Sequence, residues 1–294
     1  MKKHISSVLL SLMLCFSVFA SFAGASGTPT SKAATGVDSK VKAPLGKLRA
    51  EQFMFGYTDS SGKQILGLTG DPEKKVPAPK TLVSVLYAPG KPFSVSYVKH
   101  QKGSDQSDGR QNAVNFKNDE GELFKVTAAG KLASDSSVLL GTKNAFQGHT
   151  MLTLQSLQKE KFSKKTIQAI EKAKKRKVAS QSLIAATPSG TQIGIVRFVQ
   201  GSGKPLASLV LADQGGMVFK DFVGSKDPMS TWRVDDGGEI SAEQFHLLFA
   251  SYSKAGYALA YEWYGTEGTN LSLVQQQGMQ FRVIQEAGRY QSPY

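Results

Sequence analysis

Residues 162–178 read FSKKTIQAIEKAKKRKV, the strongest helix signal and the densest block of charge in the chain. Ser163 suits an N-cap, because its hydroxyl can accept from a free amide of the first turn. Phe162 before it and Ile167 at the fourth helical position have hydrophobic-staple spacing. Ile167, Ile170 and Ala173 form one narrow apolar stripe, with Val178 close to it, so one side of the helix is expected to dock. Lys174, Lys175, Arg176 and Lys177 are expected in the last turn, where the helix dipole favours cations.

Between positions 159 and 177 nine Lys or Arg stand against two Glu, a net of +7. The whole chain carries +13, and +11 without Lys2 and Lys3, so the rest contributes only +4. The positive charge is therefore local. It makes Lys164, Lys165, Lys172, Lys174, Lys175, Arg176 and Lys177 candidate binding residues for an anionic envelope polymer, a membrane surface or an acidic protein. The plainer alternative is a solvated face that only keeps the protein in solution.

The beginning of the chain makes export the natural setting for that charge. Lys2 and Lys3 precede a largely apolar run over 5–20, and small-residue cleavage patterns follow at Ser21-Phe22-Ala23 and Ala23-Gly24-Ala25. Residues 1–25 thus read as a cleavable secretory signal, and the run is shorter than the roughly 20 residues of a spanning helix. The expected location is periplasmic, cell-wall-associated or extracellular, which excludes chromosomal nucleic acid as a partner. The mature chain is expected to have no transmembrane segment. Cys15, the one cysteine, lies inside the signal, so the mature chain has no disulfide framework, thiol nucleophile or thiolate metal site.

Residues 26–46 are rich in Ser, Thr, Gly, Ala and Lys and read as a disordered linker. Residues 47–145 read as an antiparallel β module of three hairpins, 52–57 with 64–68, 82–87 with 93–98, and 113–117 with 122–126, plus a short strand at 138–140. Residues 150–294 read as an α+β module. Strands 192–199, 206–211 and 217–223 form a meander, and 257–264, 271–274 and 279–285 form a second. Between them Ser241 and Gln244 have capping-box spacing, and Phe245, Leu248, Phe249 and Tyr252 recur at i, i+3, i+4 and i+7, which predicts a second, buried helix. Ser208-Leu209-Val210 with Gln214-Gly215-Gly216-Met217 resembles Ser272-Leu273-Val274 with Gln276-Gln277-Gly278-Met279. This points to two helix-plus-three-strand units, with chance likeness among short strands as the alternative. The predicted fold class is α+β, predominantly antiparallel β hairpins and meanders with two main helices.

Two short stretches carry residues suited to chemistry. Thr231 to Glu239 holds Trp232, Arg233, Asp235 and Asp236; its Asp-Asp-Gly-Gly core also has the composition of a turn. Tyr261 to Gly268 holds Glu262, Trp263 and Glu267; on a strand Tyr261 and Trp263 share one face and Glu262 and Tyr264 the other. Paired carboxylates beside aromatic rings are the equipment of a glycan hydrolase, and Asp235, Asp236, Glu262 and Glu267 are the candidate catalytic groups. Trp232, Arg233 and Trp263 are candidate binding groups. No serine-hydrolase elbow, zincin motif or phosphate-cradling loop is present. No metal site and no cofactor are expected; His100, His149 and His246 stand apart in sequence. The leading reading is an exported, non-enzymatic binding protein. The alternatives are an envelope glycan hydrolase and a carrier of small molecules or lipids.

Overall fold

The computed structural model describes residues 45–69, 76–87, 91–157, 159–201, 203–225, 239–265 and 267–291. The export signal, nearly all of the linker, and Trp232, Arg233, Asp235 and Asp236 lie outside the described residues. From position 43 onward the chain forms one compact unit.

Its first part is a closed six-stranded barrel. The strands are β1 (Phe53–Thr58), β2 (Gln64–Gly67), β3 (Leu82–Tyr87), β4 (Lys91–Gln101), β5 (Gly121–Val126) and β6 (Ser137–Thr142), in spatial order β1-β2-β5-β4-β3-β6. β1 closes the ring by pairing with β2 on one side and β6 on the other. The β1–β2 turn is built by Asp59, whose Oδ1 accepts from the N–H of Lys63 and Gln64 at 3.0 and 3.1 Å. Gly62 follows with φ 67°, where a Cβ would meet the Leu132 carbonyl oxygen at 2.0 Å, so only glycine fits. β1 is buried along its whole length because its two faces belong to different cores. Met54 points into the barrel with Ile65, Val85 and Phe124, while Phe53 and Phe55 point out of it. A strand buried on both faces reads as an unbroken apolar run, as FMFGY does. The third expected hairpin is corrected: 113–117 is a string of turns, and β5 pairs instead with β2 and β4. The side chain of Asn112 caps that segment through the N–H of Asn115 at 2.9 Å, which favours a turn over a ladder.

The second part is a ten-stranded sheet. It comprises β7 (Thr150–Met151), β8 (Gln155–Ser156), β9 (Val178–Ala186), β10 (Gln192–Phe198), β11 (Leu206–Asp213), β12 (Gly216–Val223), β13 (Phe245–Ser253), β14 (Gly256–Tyr264), β15 (Gly268–Gln277) and β16 (Gln280–Tyr290). The order is β7-β13-β14-β15-β16-β12-β11-β10-β9-β8. Two four-stranded antiparallel meanders, β9–β12 and β13–β16, thus meet at a parallel seam, where Phe219 of β12 registers with Gln280 of β16. The two outermost strands are adjacent in sequence. From Met151 to Gln155 the chain spans at most about 14 Å, so the far edges of the sheet lie close together and the sheet is curled. Leu152 and Leu154, between them, pack on the interior core. Inside the curl, Ile193, Ile195 and Leu209 of one meander face Leu247, Leu259 and Tyr261 of the other. Outside, Phe53, Phe55 and Leu139 of the barrel cover Phe249, Ala260 and Leu273 of the second meander.

The helix content differs from expectation. α1 (Lys164–Lys174) is the one α-helix among the described residues. The predicted second helix is corrected to a single 3-10 turn, Ala242–Gln244, running straight into β13. The capping contact is real, with the Ser241 N–H donating to Gln244 Oε1 at 2.9 Å, but it caps only that turn. The helical spacing of Phe245, Leu248, Phe249 and Tyr252 has another origin. β13 is buried on both faces, with Phe245 and Leu247 in the interior core and Leu248 and Phe249 in the barrel-facing core. A register irregularity against β14 between Leu247 and Phe249 shifts the period-two alternation by one. The bulged phase imitates i, i+3, i+4, i+7. The two similar sequence segments lie at the β11–β12 and β15–β16 hairpins, the last connection of each meander. Among the described residues an α-helix precedes only the first.

Candidate functional site

α1 is held on the outer face of the first meander. Phe162 and Ile170 are buried there against Leu183, Val196 and Phe219, and Ile167 packs beside them. Ser163 Oγ accepts from the Thr166 N–H at 3.1 Å, closing the first turn. The helix ends sooner than the charge block. Lys175 adopts a left-handed conformation, φ 53° and ψ 34°, with its N–H on the Glu171 carbonyl. Arg176 N–H reaches the same oxygen at 3.3 Å, so Arg176 and Lys177 lie beyond the helix. The left-handed cap turns the chain into β9 within three residues.

This geometry sorts the candidate cations. Lys174 is an internal residue: its ammonium bonds both Asp221 oxygens at 2.6 and 2.7 Å and lies 4.2 Å from the centre of the Phe219 ring. Lys177 bonds Glu171 at 2.8 Å, and that bond, with the Val178 N–H, holds the Glu171 carboxyl below its usual range. Arg176 Nη1 donates to the Lys204 carbonyl at 3.0 Å. Lys164, Lys165, Lys172 and Lys175 are exposed and make no ion pair among the described residues. Lys172, Lys175, Arg176 and Lys177 surround an open hollow of about 420 Å³, whose one carboxylate, Glu171, is already engaged. Four cations and one carboxylate leave this hollow with a net charge of +3, a local positive field.

Of the carboxylate candidates, Glu262 and Glu267 fall among the described residues. Glu262 lies opposite His246 in the β13–β14 register and is 4% exposed. Its Oε1 is bonded by His246 Nδ1 at 2.8 Å and by the Tyr264 hydroxyl at 2.7 Å. Burial works against its ionisation, yet hydrogen bonds from His246, Ser137 and Tyr264 hold its carboxyl below the ordinary 4.5. The hydrogen bond to Glu262 raises His246 above its ordinary 6.5, against the effect of burial. Glu267 lies in the β14–β15 turn, where its carbonyl accepts from the Gln291 N–H at 2.8 Å. Trp263 points to the opposite side of the sheet from Glu262. Its indole is stacked on Phe245, 5.8 Å between centres at 4°, so that ring face is occupied. Among the described residues no three His, Cys, Asp or Glu side chains gather as a metal site.

The His246–Glu262 pair was not legible as a pair, because residues 245–252 read as a helix. Reading them as a strand opposite 256–264 would have exposed it. The pair gives a pH prediction. A raised histidine pKa contributes stability that is full below 6.5 and fades as pH rises through the folded value. A lowered glutamate pKa contributes stability that is full above 4.5 and fades as pH falls through the folded value. Both contributions therefore coexist between about 4.5 and 6.5. The urea midpoint of His246→Gln relative to the parent should show its largest deficit in that window and a smaller one at pH 8. A pH-independent deficit would refute this linkage.

No protein-family model, curated protein or solved structure matches the chain. The functional reading therefore rests on the geometry of the molecule itself.

Proposed function

We propose that this is an exported, non-enzymatic binding protein of the cell envelope or extracellular space, and that it meets an anionic polymer through the hollow at the end of α1. One observation carries the reading. Lys175 stands in a left-handed conformation that costs a non-glycine residue about 1 kcal/mol, at a helix end where glycine is the usual choice. A lysine there keeps a cation at the rim of the hollow at the expense of stability. The export setting supports the same reading, because polyanions are the major charged partners outside the cytoplasm.

The test uses retention on a polyphosphate matrix over a salt gradient. Lys172→Gln, Lys175→Gln and Lys177→Gln together should elute at markedly lower salt, since exposed charge acts through a screened field. Lys175→Gly should raise unfolding free energy by up to about 1 kcal/mol while lowering retention. Unchanged retention of both variants would overturn the proposal. Lys174 is left intact because its partner is Asp221.

The hydrolase alternative has less support. Glu262 is engaged by His246, Tyr264 and Ser137, which speaks against its acting as a free acid or base. The carrier alternative needs a large apolar void, and it has less support because the apolar side chains of the two meanders pack into one core inside the curl.

A further inference from the structure

The sequence likeness between the two meanders has a structural counterpart. Gly215, Gly216 and Met217 at the β11–β12 turn and Gln276, Gly278 and Met279 at the β15–β16 turn line one cavity of about 640 Å³. The β13–β14 turn, through Lys254 and Gly256, lines it as well. The cavity thus opens at the end of the curled sheet where these three hairpins turn. Its floor is the end of the interior core: Leu211 and Val218 are buried there, and Tyr257 packs beside them. Strand alternation puts Tyr252 on the same side as Ala250 of that core, in register with Tyr257. The mouth of a barrel-like sheet is a favoured place for a small-molecule pocket, and this volume falls in the usual range.

The lining presents apolar surface that is open to solvent. Tyr252 is 51% exposed and Met279 55%. The Tyr252 and Tyr257 rings meet at a tilt of 55°, 4.8 Å between centres, and form a joined aromatic wall. Met279 stands at the tip of a two-residue turn and belongs to no apolar core among the described residues. Methionine is flexible and polarizable, which suits it to close on a ligand of irregular shape. A Cβ at Gly216 or Gly278 would meet nothing within 4 Å, so open space adjoins both turns.

The polar side chains of the lining narrow the ligand. Asp213 is held within the wall: Oδ1 accepts from the Gly215 N–H at 2.7 Å and Oδ2 from the Tyr257 hydroxyl. Burial and the bond to Asp213 push the Tyr257 phenol up to about 12, so it keeps its proton and that bond. Gln276 is engaged at both ends, with Oε1 accepting from the Tyr257 N–H and Nε2 donating to the Gly278 carbonyl, each at 3.0 Å. Two groups are left over. The Lys254 ammonium is exposed and has no ion pair among the described residues, and the Tyr252 hydroxyl has no hydrogen bond among them. Both can donate, and one carries charge. Free donors beside bare apolar surface suit an anionic head on an apolar body.

We infer that the mouth of the curled sheet binds a small organic acid, an alkyl or aryl carboxylate, whose carboxylate takes the Lys254 ammonium and the Tyr252 hydroxyl while its apolar body lies on Tyr257, Met279 and the floor of Leu211 and Val218. The site is separate from the cationic hollow and independent of it. It sits above the packed interior core rather than within it, so it needs no central void.

The experiment is a titration of the full chain, with ¹³C-labelled methionine methyls, by hexanoate, by phenylacetate and by the neutral amide of each. The chain has seven methionines, so Met217→Leu and Met279→Leu assign the two methyls that line the cavity. Both should shift saturably with at least one acid in the millimolar range, and the matching amide should bind about tenfold more weakly for want of a charged hydrogen bond. Lys254→Gln should bring the acid down to the affinity of its amide and leave Tm unchanged. Tyr252→Ser should weaken acid and amide alike. The variant with Lys172→Gln, Lys175→Gln and Lys177→Gln should bind the acid as the parent does. Methyls unmoved by both acids, amides bound as tightly as acids, full acid affinity in Lys254→Gln, or loss of acid binding in the triple variant would each overturn the inference.

Discussion

Arg289→Met is expected to lower the unfolding free energy by roughly 3–5 kcal/mol, the usual cost of removing one partner from a buried charged network. The Arg289 side chain is 2% exposed. Its guanidinium donates to the Gln111 carbonyl through Nε at 3.1 Å and Nη2 at 2.9 Å, to Ser137 Oγ at 3.0 Å, and to Asp135 Oδ1 at 2.7 Å. It also lies 4.8 Å from the centre of the Tyr57 ring. These contacts tie β16 of the sheet to β1 and to the loop before β6 of the barrel, so one side chain serves both parts. Methionine fills much of the volume but leaves the Gln111 carbonyl without its guanidinium donors and Asp135 Oδ1 with only the Ala113 N–H, at 3.0 Å. Lysine is no substitute, because a single ammonium cannot reproduce the planar fork. Asp135 is 30% exposed, so water compensates part of its loss and the effect belongs at the lower end of that range. Asp135→Asn should restore part of the stability in the double variant. Urea unfolding measures both, and a loss below about 1 kcal/mol for Arg289→Met would place the network among near-neutral surface pairs.

Lys174→Gln is expected to cost about 2 kcal/mol, although it lies in a run of five lysines and arginines around the end of α1. Its side chain is 10% exposed, and it bonds both oxygens of Asp221, which also accepts from Ser208 at 2.5 Å. Removing the cation leaves Asp221 with the Ser208 hydroxyl as its only described partner and strips the charge from above Phe219. Asp221 is 31% exposed, which keeps the cost below that of a fully enclosed pair. Lys172→Gln and Lys175→Gln, by contrast, should each stay within about 0.5 kcal/mol of the parent. Thermal and urea unfolding of the three single variants decide this. Equal effects at all three positions would show that Lys174 is just another surface lysine. The distinction matters for any charge-removal experiment: a variant that includes Lys174 loses binding and stability together and separates neither.

The β-rich character and most hairpins were legible because their turns carry their own chemistry, as Asp59 and Gly62 do between β1 and β2. α1 was legible because its cap, staple and stripe are all local. The second helix failed at β13, where burial on two faces and one bulge produced helical spacing from a strand. The hairpin at 113–117 failed because Asn112 and Asn115 satisfy the backbone locally. Of the site, the concentration of charge was visible, but its division was not. Nothing near Lys174 in sequence marks it as the partner of Asp221, which lies 47 positions away. Glu262 stood out as a carboxylate, whereas its partner His246 was hidden by the wrong secondary structure. Arg289 drew no notice, because contacts with Gln111 and Asp135 are set by how the barrel meets the sheet.

The seven residues from Thr150 to Ser156 serve both rims of the ten-stranded sheet, two at each rim. Open rims of long strands are where foreign chains add on and aggregation begins. Here each rim ends in a strand too short to template another, and both are guarded by one continuous segment. A single proteolytic nick between Met151 and Gln155 would therefore unlatch two long strands, β13 and β9, at once. That span is both the shield against self-association and the place where the shield fails as a whole.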